Sequence, residues 1–267
     1  MITSNSNQLI KSIRKLADKK YRALSGLALV EGTKLVLDAI EQQAVIEKLL
    51  ISGSFERSNK GFFVLSKIAE RQIEPTLVSD QVFQSITLKE NPQGIAAVVR
   101  QTWLDFETFR NQFSGLWVAL WEIADPGNLG SIMRTVDAVN TKGIILVENC
   151  TDPYDPGEIR ASMGVIFFNK LVKCGLPEFI EWVETNKITV IGTSDAANTY
   201  YRDVIYPDDM VLVMGSERQG MPGALLKACK RVVSIPMNGI SDSLNIAVAT
   251  AIILYEVFDQ KRKVKQP

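Results

Sequence analysis

Short apolar runs alternate with stretches of helical spacing along most of the chain. At the start, a helix over Gln8–Leu16 puts Leu9, Ile13 and Leu16 on one face and Lys11, Arg14 and Lys15 on the others. Leu27–Glu31 reads as a buried strand, Gly32 as a turn and Thr33–Ile40 as a helix. Ile46–Ser52 and Phe62–Leu65 read as short strands, Lys67–Gln72 as a helix and Thr76–Val78 as a strand. A helix over Asp80–Ile86, capped by Asp80, and a strand over Gly94–Arg100 complete a small α/β sandwich over residues 1–100. Residues 101–114 read as a linker with a helical turn or two.

A second α/β series fills residues 115–267. Its strands are Leu116–Trp121, Gly143–Val147, Ile188–Thr193, Met210–Met214 and Val232–Ile235. Its helices are Ser131–Val139, Glu158–Met163, Pro177–Asn186, Gly223–Ala228 and Ser243–Phe258, with a short apolar stretch at Val165–Phe168 and a basic, fraying tail from Gln260.

Composition narrows the class. A chain of 267 residues with 46% apolar side chains is one large domain or two modest ones and is not disordered. The longest apolar stretch, Leu244–Tyr255, is broken by Asn245 and Thr250, and a membrane span needs roughly 20 residues. The N-terminus lacks the basic and apolar regions of a secretory signal. Cys150, Cys174 and Cys229 are odd in number with no close pair, which points to a reducing cytoplasm and to neither disulfides nor a zinc site. The absence of histidine excludes Ser-His-Asp and Cys-His hydrolases and imidazole-ligated metals. Net charge is zero, yet residues 1–100 hold 14 basic and 10 acidic side chains against 16 and 20 in the remainder. Much of the positive excess is Lys11, Arg14, Lys15, Lys19, Lys20 and Arg22, opposed only by Asp18. Such a run is either a solvated helix face or a phosphate-contacting patch.

Three segments place small and polar residues directly after apolar strands, where open α/β sheets bind ligands. They are "LWEIADPGNLGSIMRTVDA" (120–138), "LVMGSERQGMPG" (212–223) and "IPMNGISDSLNIAVATAIILYE" (235–256). Asn128 or Ser131 can cap the helix that carries Arg134. Gly215–Gly220 lacks the Lys-Ser/Thr of a phosphate loop, and no Gly-x-Gly-x-x-Gly opens a helix. Each segment alone reads as ordinary loop chemistry; the three in this order are far more specific.

Together they resemble the motifs of the SpoU-type RNA ribose 2′-O-methyltransferases of the SPOUT superfamily. "DPYDPGEIRASMGVIFFNKLV" (152–172) is similar to a further family stretch. "ITSNSNQLIKSIRKLADKKYR", "VEGTKLVLDAI" and "ENPQGIAAVVR" resemble the family's ribosomal-protein-like RNA-binding module. The resemblance implies an RNA substrate-binding domain at 1–100, a linker at 101–114 and a SPOUT α/β domain at 115–267 with a C-terminal trefoil knot, an exception to the unknotted rule.

It further implies S-adenosylmethionine bound by Gly215, Ile235 and Leu244, with Thr193, Met237 and Ser243 close by. It makes Arg134 the essential arginine, matches Asn128, Glu217 and Asn245 to the motifs' polar positions, and sets Arg160 beside a substrate phosphate. It implies a homodimer joined through the knot domains, and no metal. Ala247 departs from the family's frequent serine, and "PGEIR" departs from relatives that often have a lysine before the Arg run. The chemistry suits a chain without histidine, because a methyl sulfonium is already electrophilic and the protein mainly aligns a ribose hydroxyl. Arg134, permanently charged, would bind the adjacent phosphate and stabilise developing alkoxide. The substrate implied is ribosomal RNA, with transfer RNA as the alternative. A non-catalytic RNA-binding protein is a reading of another class, disfavoured by the intact Asn128, Arg134, Glu217 and Asn245.

Overall fold

The computed structural model describes residues 1–265 and forms two compact units. The first comprises Met1–Thr102 together with Asp152–Phe168. The second comprises Trp103–Thr151 and the chain from Asn169 onward.

In the first unit the elements run α1 (Gln8–Lys15), α2 (Lys19–Ser25), β1 (Leu27–Glu31), α3 (Thr33–Glu41), β2 (Ile46–Ser52) and α4 (Gly53–Glu56). They continue α5 (Asn59–Ala69), β3 (Pro75–Val78), α6 (Asp80–Ile86) and β4 (Ile95–Arg100). The sheet order is β1-β4-β2-β3, with β4 antiparallel to both neighbours and β2 parallel to β3. Ile10, Ile13 and Leu16 of the first helix seal one core against Leu29, Leu50, Val82, Phe83 and Val98. The expected strand at Phe62–Leu65 is instead the middle of α5. Ser58 caps that helix by accepting from Gly61 N at 2.9 Å, and Val64 and Ile68 are buried one turn apart while Phe62 and Phe63 face solvent. An apolar run buried at every fourth residue is helical, not strand-like. Asp80 is likewise not the cap of α6. Ser79 accepts from Val82 N, and the Asp80 carboxylate takes bonds from Ser54 N and Oγ, which hold its pKa below the ordinary carboxylate value.

In the second unit, α7 (Phe106–Asn111) and β5 (Leu116–Trp121) lead into α8 (Pro126–Ala138) and β6 (Gly143–Val147). After the excursion of 152–168 into the first unit, where α9 (Pro156–Ala161) ends near a single 3-10 turn at Val165–Phe167, come β7 (Leu171–Cys174) and α10 (Leu176–Thr185). Then follow β8 (Val190–Thr193), β9 (Met210–Met214), α11 (Gly223–Ala228), β10 (Arg231–Val233) and α12 (Ile246–Lys265). Among the described residues this unit has six strands, all parallel, in the order β10-β8-β9-β5-β6-β7. The strands are buried nearly throughout, as a sheet covered on both faces requires. The segment expected as a linker contributes Phe106 and Phe109 to this core, where Phe109 meets Trp117 and Trp182 at ring distances of 4.7 and 5.0 Å. The tail expected to fray continues α12 through Lys265, and Gln266 and Pro267 lie outside the described residues. Among the described residues, no helix is long and apolar enough to cross a membrane.

Candidate active site

The chain steps outward from β5 through β6 to β7, then returns to lay β9 on the opposite side of β5. Reversals of this kind leave a crevice at the carboxyl edge of a parallel sheet. Beyond the ends of β8, β9 and β10 lies a cavity of about 760 Å³. One wall is the loop after β9, which doubles back through paired backbone bonds: Ser216 N to Gly220 O at 3.1 Å and Gly220 N to Ser216 O at 3.0 Å. Glu217, Arg218 and Gln219 form its exposed tip. Gly215 is required there, because a β-carbon would sit 2.5 Å from the Gly220 carbonyl carbon and 2.8 Å from Met221 N. A second wall is the end of β8, where the Thr193 hydroxyl donates to the Val213 carbonyl at 3.1 Å.

The third wall runs from Ile235 and Met237 to Ser243, Leu244 and Asn245 at the start of α12. Asn245 Oδ1 accepts from Ala247 N at 2.9 Å and Val248 N at 3.3 Å, which satisfies two of the helix's free donors. Those backbone donors fix which atom is the oxygen, so Nδ2 must donate outward. It does so to Asn128 Oδ1 at 2.8 Å, and Asn128 Nδ2 donates in turn to Glu217 Oε1 at 2.7 Å. Asn128 is held in the first turn of α8 by Asp125, whose carboxylate accepts from Asn128 N at 3.0 Å ahead of Pro126 at N1. The cap of α8 is therefore Asp125, neither Asn128 nor Ser131. One side chain from each of the three sequence segments thus enters a single directional relay from a helix terminus to a carboxylate.

The cavity brings together Gly215, Ile235, Leu244, Thr193, Met237 and Ser243, with Glu217 and Asn245. Asn128 joins through its bonds and not as a lining residue. Arg134 is exposed on α8, outside the lining. In the first unit Lys11, Arg14, Lys15, Lys19 and Lys20 are exposed on α1 and α2, and Arg160 is exposed on α9. Arg22, expected among the RNA-contacting residues, is only 1% exposed. Its guanidinium bonds Asp152 at 2.7 Å, Asp155 at 2.9 Å and the Leu16 and Ala17 carbonyls at 2.8 and 2.9 Å, so four of its five N–H donors are spent inside the fold and the group is too buried to meet a phosphate. Lining residues not anticipated from the sequence include Ser194, Asp195, Asp242, Arg218 and Met221; the signal for the first two was their place directly after β8. Burial pushes the Cys150 thiol up to about 11 and Cys229 up to about 12, and raises Cys174 as well. The cysteines are thus protonated near neutral pH and supply no nucleophile.

A parallel sheet bearing such a cavity outside its carboxyl edge defines an α/β ligand-binding domain. The profile of the SpoU rRNA Methylase family matches residues 115–255, and that of the MRM3-like substrate binding domain matches residues 7–97. The chain belongs to the SpoU rRNA methylase family. It is 28% identical over 256 residues to the 23S rRNA (guanosine(2553)-2′-O)-methyltransferase RlmP of Bacillus subtilis, covering 96% of this chain and 98% of that protein. It is 30% identical to the 23S rRNA (uridine(2479)-2′-O)-methyltransferase of Streptomyces viridochromogenes, covering 97% and 92%. The crystal structure of AdoMet-bound rRNA methyltransferase from Sinorhizobium meliloti superposes with a TM-score of 0.86 at 33% identity, covering 98% of this chain and 97% of that one. The SpoU methyltransferase AviRb from Streptomyces viridochromogenes in complex with AdoMet gives 0.84 at 28% identity, with 96% and 98% covered.

Proposed function

We propose that this protein methylates the 2′-hydroxyl of a ribose in ribosomal RNA, with S-adenosylmethionine as donor. The observation that carries the reading is the cavity at the ends of β8–β10, two of whose lining residues, Glu217 and Asn245, are joined through Asn128. Its volume lies within the roughly 300–1,000 Å³ of small-molecule sites. The residues fit the donor. Ile235, Leu244 and Val233 offer apolar surface to a purine, and side-chain-free Gly215 leaves main chain open to polar edges. Asp195, Glu217 and Asp242 set carboxylates around a cationic ligand.

When bound, S-adenosylmethionine supplies a methyl group made electrophilic by its sulfonium. Asn128 and Asn245 fix Glu217 and the entrance to α12, so the cavity wall is set before the ligand arrives. Arg134 binds the phosphate next to the target ribose and stabilises negative charge growing on the attacking oxygen. The hydroxyl proton passes to water, because a guanidinium does not deprotonate. The domain at 1–100 captures RNA through Lys11, Arg14, Lys15, Lys19 and Lys20, with Arg160 as a further phosphate contact. The linker at 101–114 joins it to the methyltransferase domain at 115–267, whose C-terminal segment we take to be threaded as a trefoil. The protein works in the cytoplasm as a homodimer of knot domains. Val248, Tyr255 and Phe258 on α12, with Ile205 at 90% exposure, give the second unit an apolar surface suited to that role.

The test is incubation with labelled S-adenosylmethionine and total RNA, followed by mapping of ribose-methylated nucleotides. Label in a single 23S ribosomal RNA nucleotide is expected. Label confined to transfer RNA would move the substrate, and none, with the donor still bound, would favour a non-catalytic RNA-binding protein.

A further inference from the structure

We infer that Arg22 is a positioning residue for RNA capture: buried within the first unit, it locks the segment that presents Arg160. The segment Asp152–Phe168 leaves the methyltransferase chain between β6 and β7 yet packs as part of the first unit. Its entry is fixed by the Arg22 guanidinium, which places Nε on Asp152 and Nη2 on Asp155. Asp155 is also the N-cap of α9, where its other oxygen accepts from Gly157 N at 2.8 Å. One carboxylate therefore joins Arg22 to the helix whose last turn bears Arg160. Nη1 meanwhile donates to the Leu16 and Ala17 carbonyls at the end of α1. The rest of the segment is held too. Lys34 Nζ donates to the Met163 carbonyl at 3.2 Å, and the Tyr154 hydroxyl donates to the Thr102 carbonyl at 2.8 Å.

A planar guanidinium with four of its donors fixed on two carboxylates and two carbonyls has one orientation, so α9 has one register against α1. Arg22 thus acts on RNA at one remove, and the RNA-binding platform extends beyond residues 1–100 to include 152–168. This rests on the reading that Arg160 contacts RNA phosphate.

The experiment compares the full-length Asp155→Asn, Arg22→Gln, Arg160→Ala and Asp155→Asn/Arg160→Ala proteins, measuring KM for RNA, kcat, and calorimetric S-adenosylmethionine affinity. Asparagine still caps a helix, so Asp155→Asn keeps the test alive if Arg22→Gln does not fold. KM for RNA is expected to rise at least about tenfold in Asp155→Asn and in Arg160→Ala, the loss of about one charge-assisted bond. Turnover and donor affinity should be unchanged in Asp155→Asn, and the KM of the double variant should match that of Arg160→Ala alone. Multiplying effects in the double variant, or an unchanged KM for Asp155→Asn beside a raised KM for Arg160→Ala, would overturn the coupling. An unchanged KM for Arg160→Ala would remove Arg160 from the RNA contact, and the inference with it.

Discussion

Replacing Asn128 by aspartate changes one atom of the relay and tests its polarity. The wild-type amide accepts from Asn245 and donates to Glu217 at 2.7 Å. The aspartate variant keeps the acceptor but sets a second carboxylate against the first. A hydrogen bond to a charged group contributes about 1.5–3 kcal/mol, and the exposed position of this one argues for the lower end. Repulsion between two unit charges about 4 Å apart adds about 1 kcal/mol in a water-like medium. The sum, about 2–2.5 kcal/mol, is the most by which the Ser216–Gly220 wall can be unsettled, and corresponds to a rise of about 30–70-fold in the Kd for S-adenosylmethionine. Asn128→Ala loses both bonds, about 1.5 and about 0.5–1.5 kcal/mol, without adding repulsion, and should weaken binding by a comparable amount. Acidification separates the variants. A proton shared between the introduced carboxylate and Glu217 relieves the repulsion. The Kd of Asn128→Asp should therefore recover as the pH falls from about 7.5 to 4.5, because one of two close carboxylates takes up a proton above its ordinary value, while that of Asn128→Ala should not. Isothermal titration at both pH values, with circular dichroism as a folding control, is the measurement. Binding by the aspartate variant within about twofold of wild type, or a Kd for it that does not recover on acidification, would refute the relay.

Gly215→Ala should cost about 1–3 kcal/mol in stability by forcing backbone apart, and should cut donor binding. Gly220→Ala, with open space around its β-carbon and only a φ of +65° to tolerate, should cost about 1–2 kcal/mol; thermal melts with and without S-adenosylmethionine compare them. Arg134→Ala should abolish methyl transfer while leaving donor affinity intact, measured by turnover beside calorimetry. Substituting Lys11, Lys15 and Lys19 together by alanine should lower the slope of log Kd for RNA against log salt by about 2, at roughly 0.7 per lost single-strand phosphate contact. Alkaline pH should destabilise the fold. Cys150 keeps its proton to about pH 11 against an ordinary value of 9.0, so between those values the native state binds more protons than the unfolded chain and stability falls as pH rises. The slope should approach about 1.4 kcal/mol per pH unit for that thiol, read from urea midpoints between about pH 8 and 10.5.

What the sequence disclosed depended on whether the deciding interaction was local. The strands of the second unit were legible because Leu116–Trp121, Gly143–Val147 and Met210–Met214 are continuous apolar runs bounded by glycine or charge. Phe62–Leu65 misled because the same apolar density occurs where a helix exposes two phenylalanines, and only the cap by Ser58 and the burial of Val64 and Ile68 decide the period. β7 was missed because its four residues include the charged Lys173, which lies over the Trp103 ring at 4.9 Å. The cavity residues were legible through motif order, whereas the bonds joining Asn128 to residues 89 and 117 positions away were not. Arg22 marks the limit most clearly. In sequence it is one more cation in a basic run, and only its carboxylate partners 130 and 133 residues on turn it inward.

Asn245 faces two ways, capping α12 through its oxygen and holding Asn128 through its nitrogen. Whatever tightens the cavity therefore also lowers the rate at which the first turn of α12 frays. That helix runs on to Gln260 and Lys261, which donate to the Val204 and Asp208 carbonyls on the long β8–β9 connection. Ligand occupancy should consequently be recorded in slowed amide exchange at Ala247 and Val248, as linkage between binding and local opening requires. The helix start would then serve as a built-in reporter of the empty and filled states, with no label attached to the ligand.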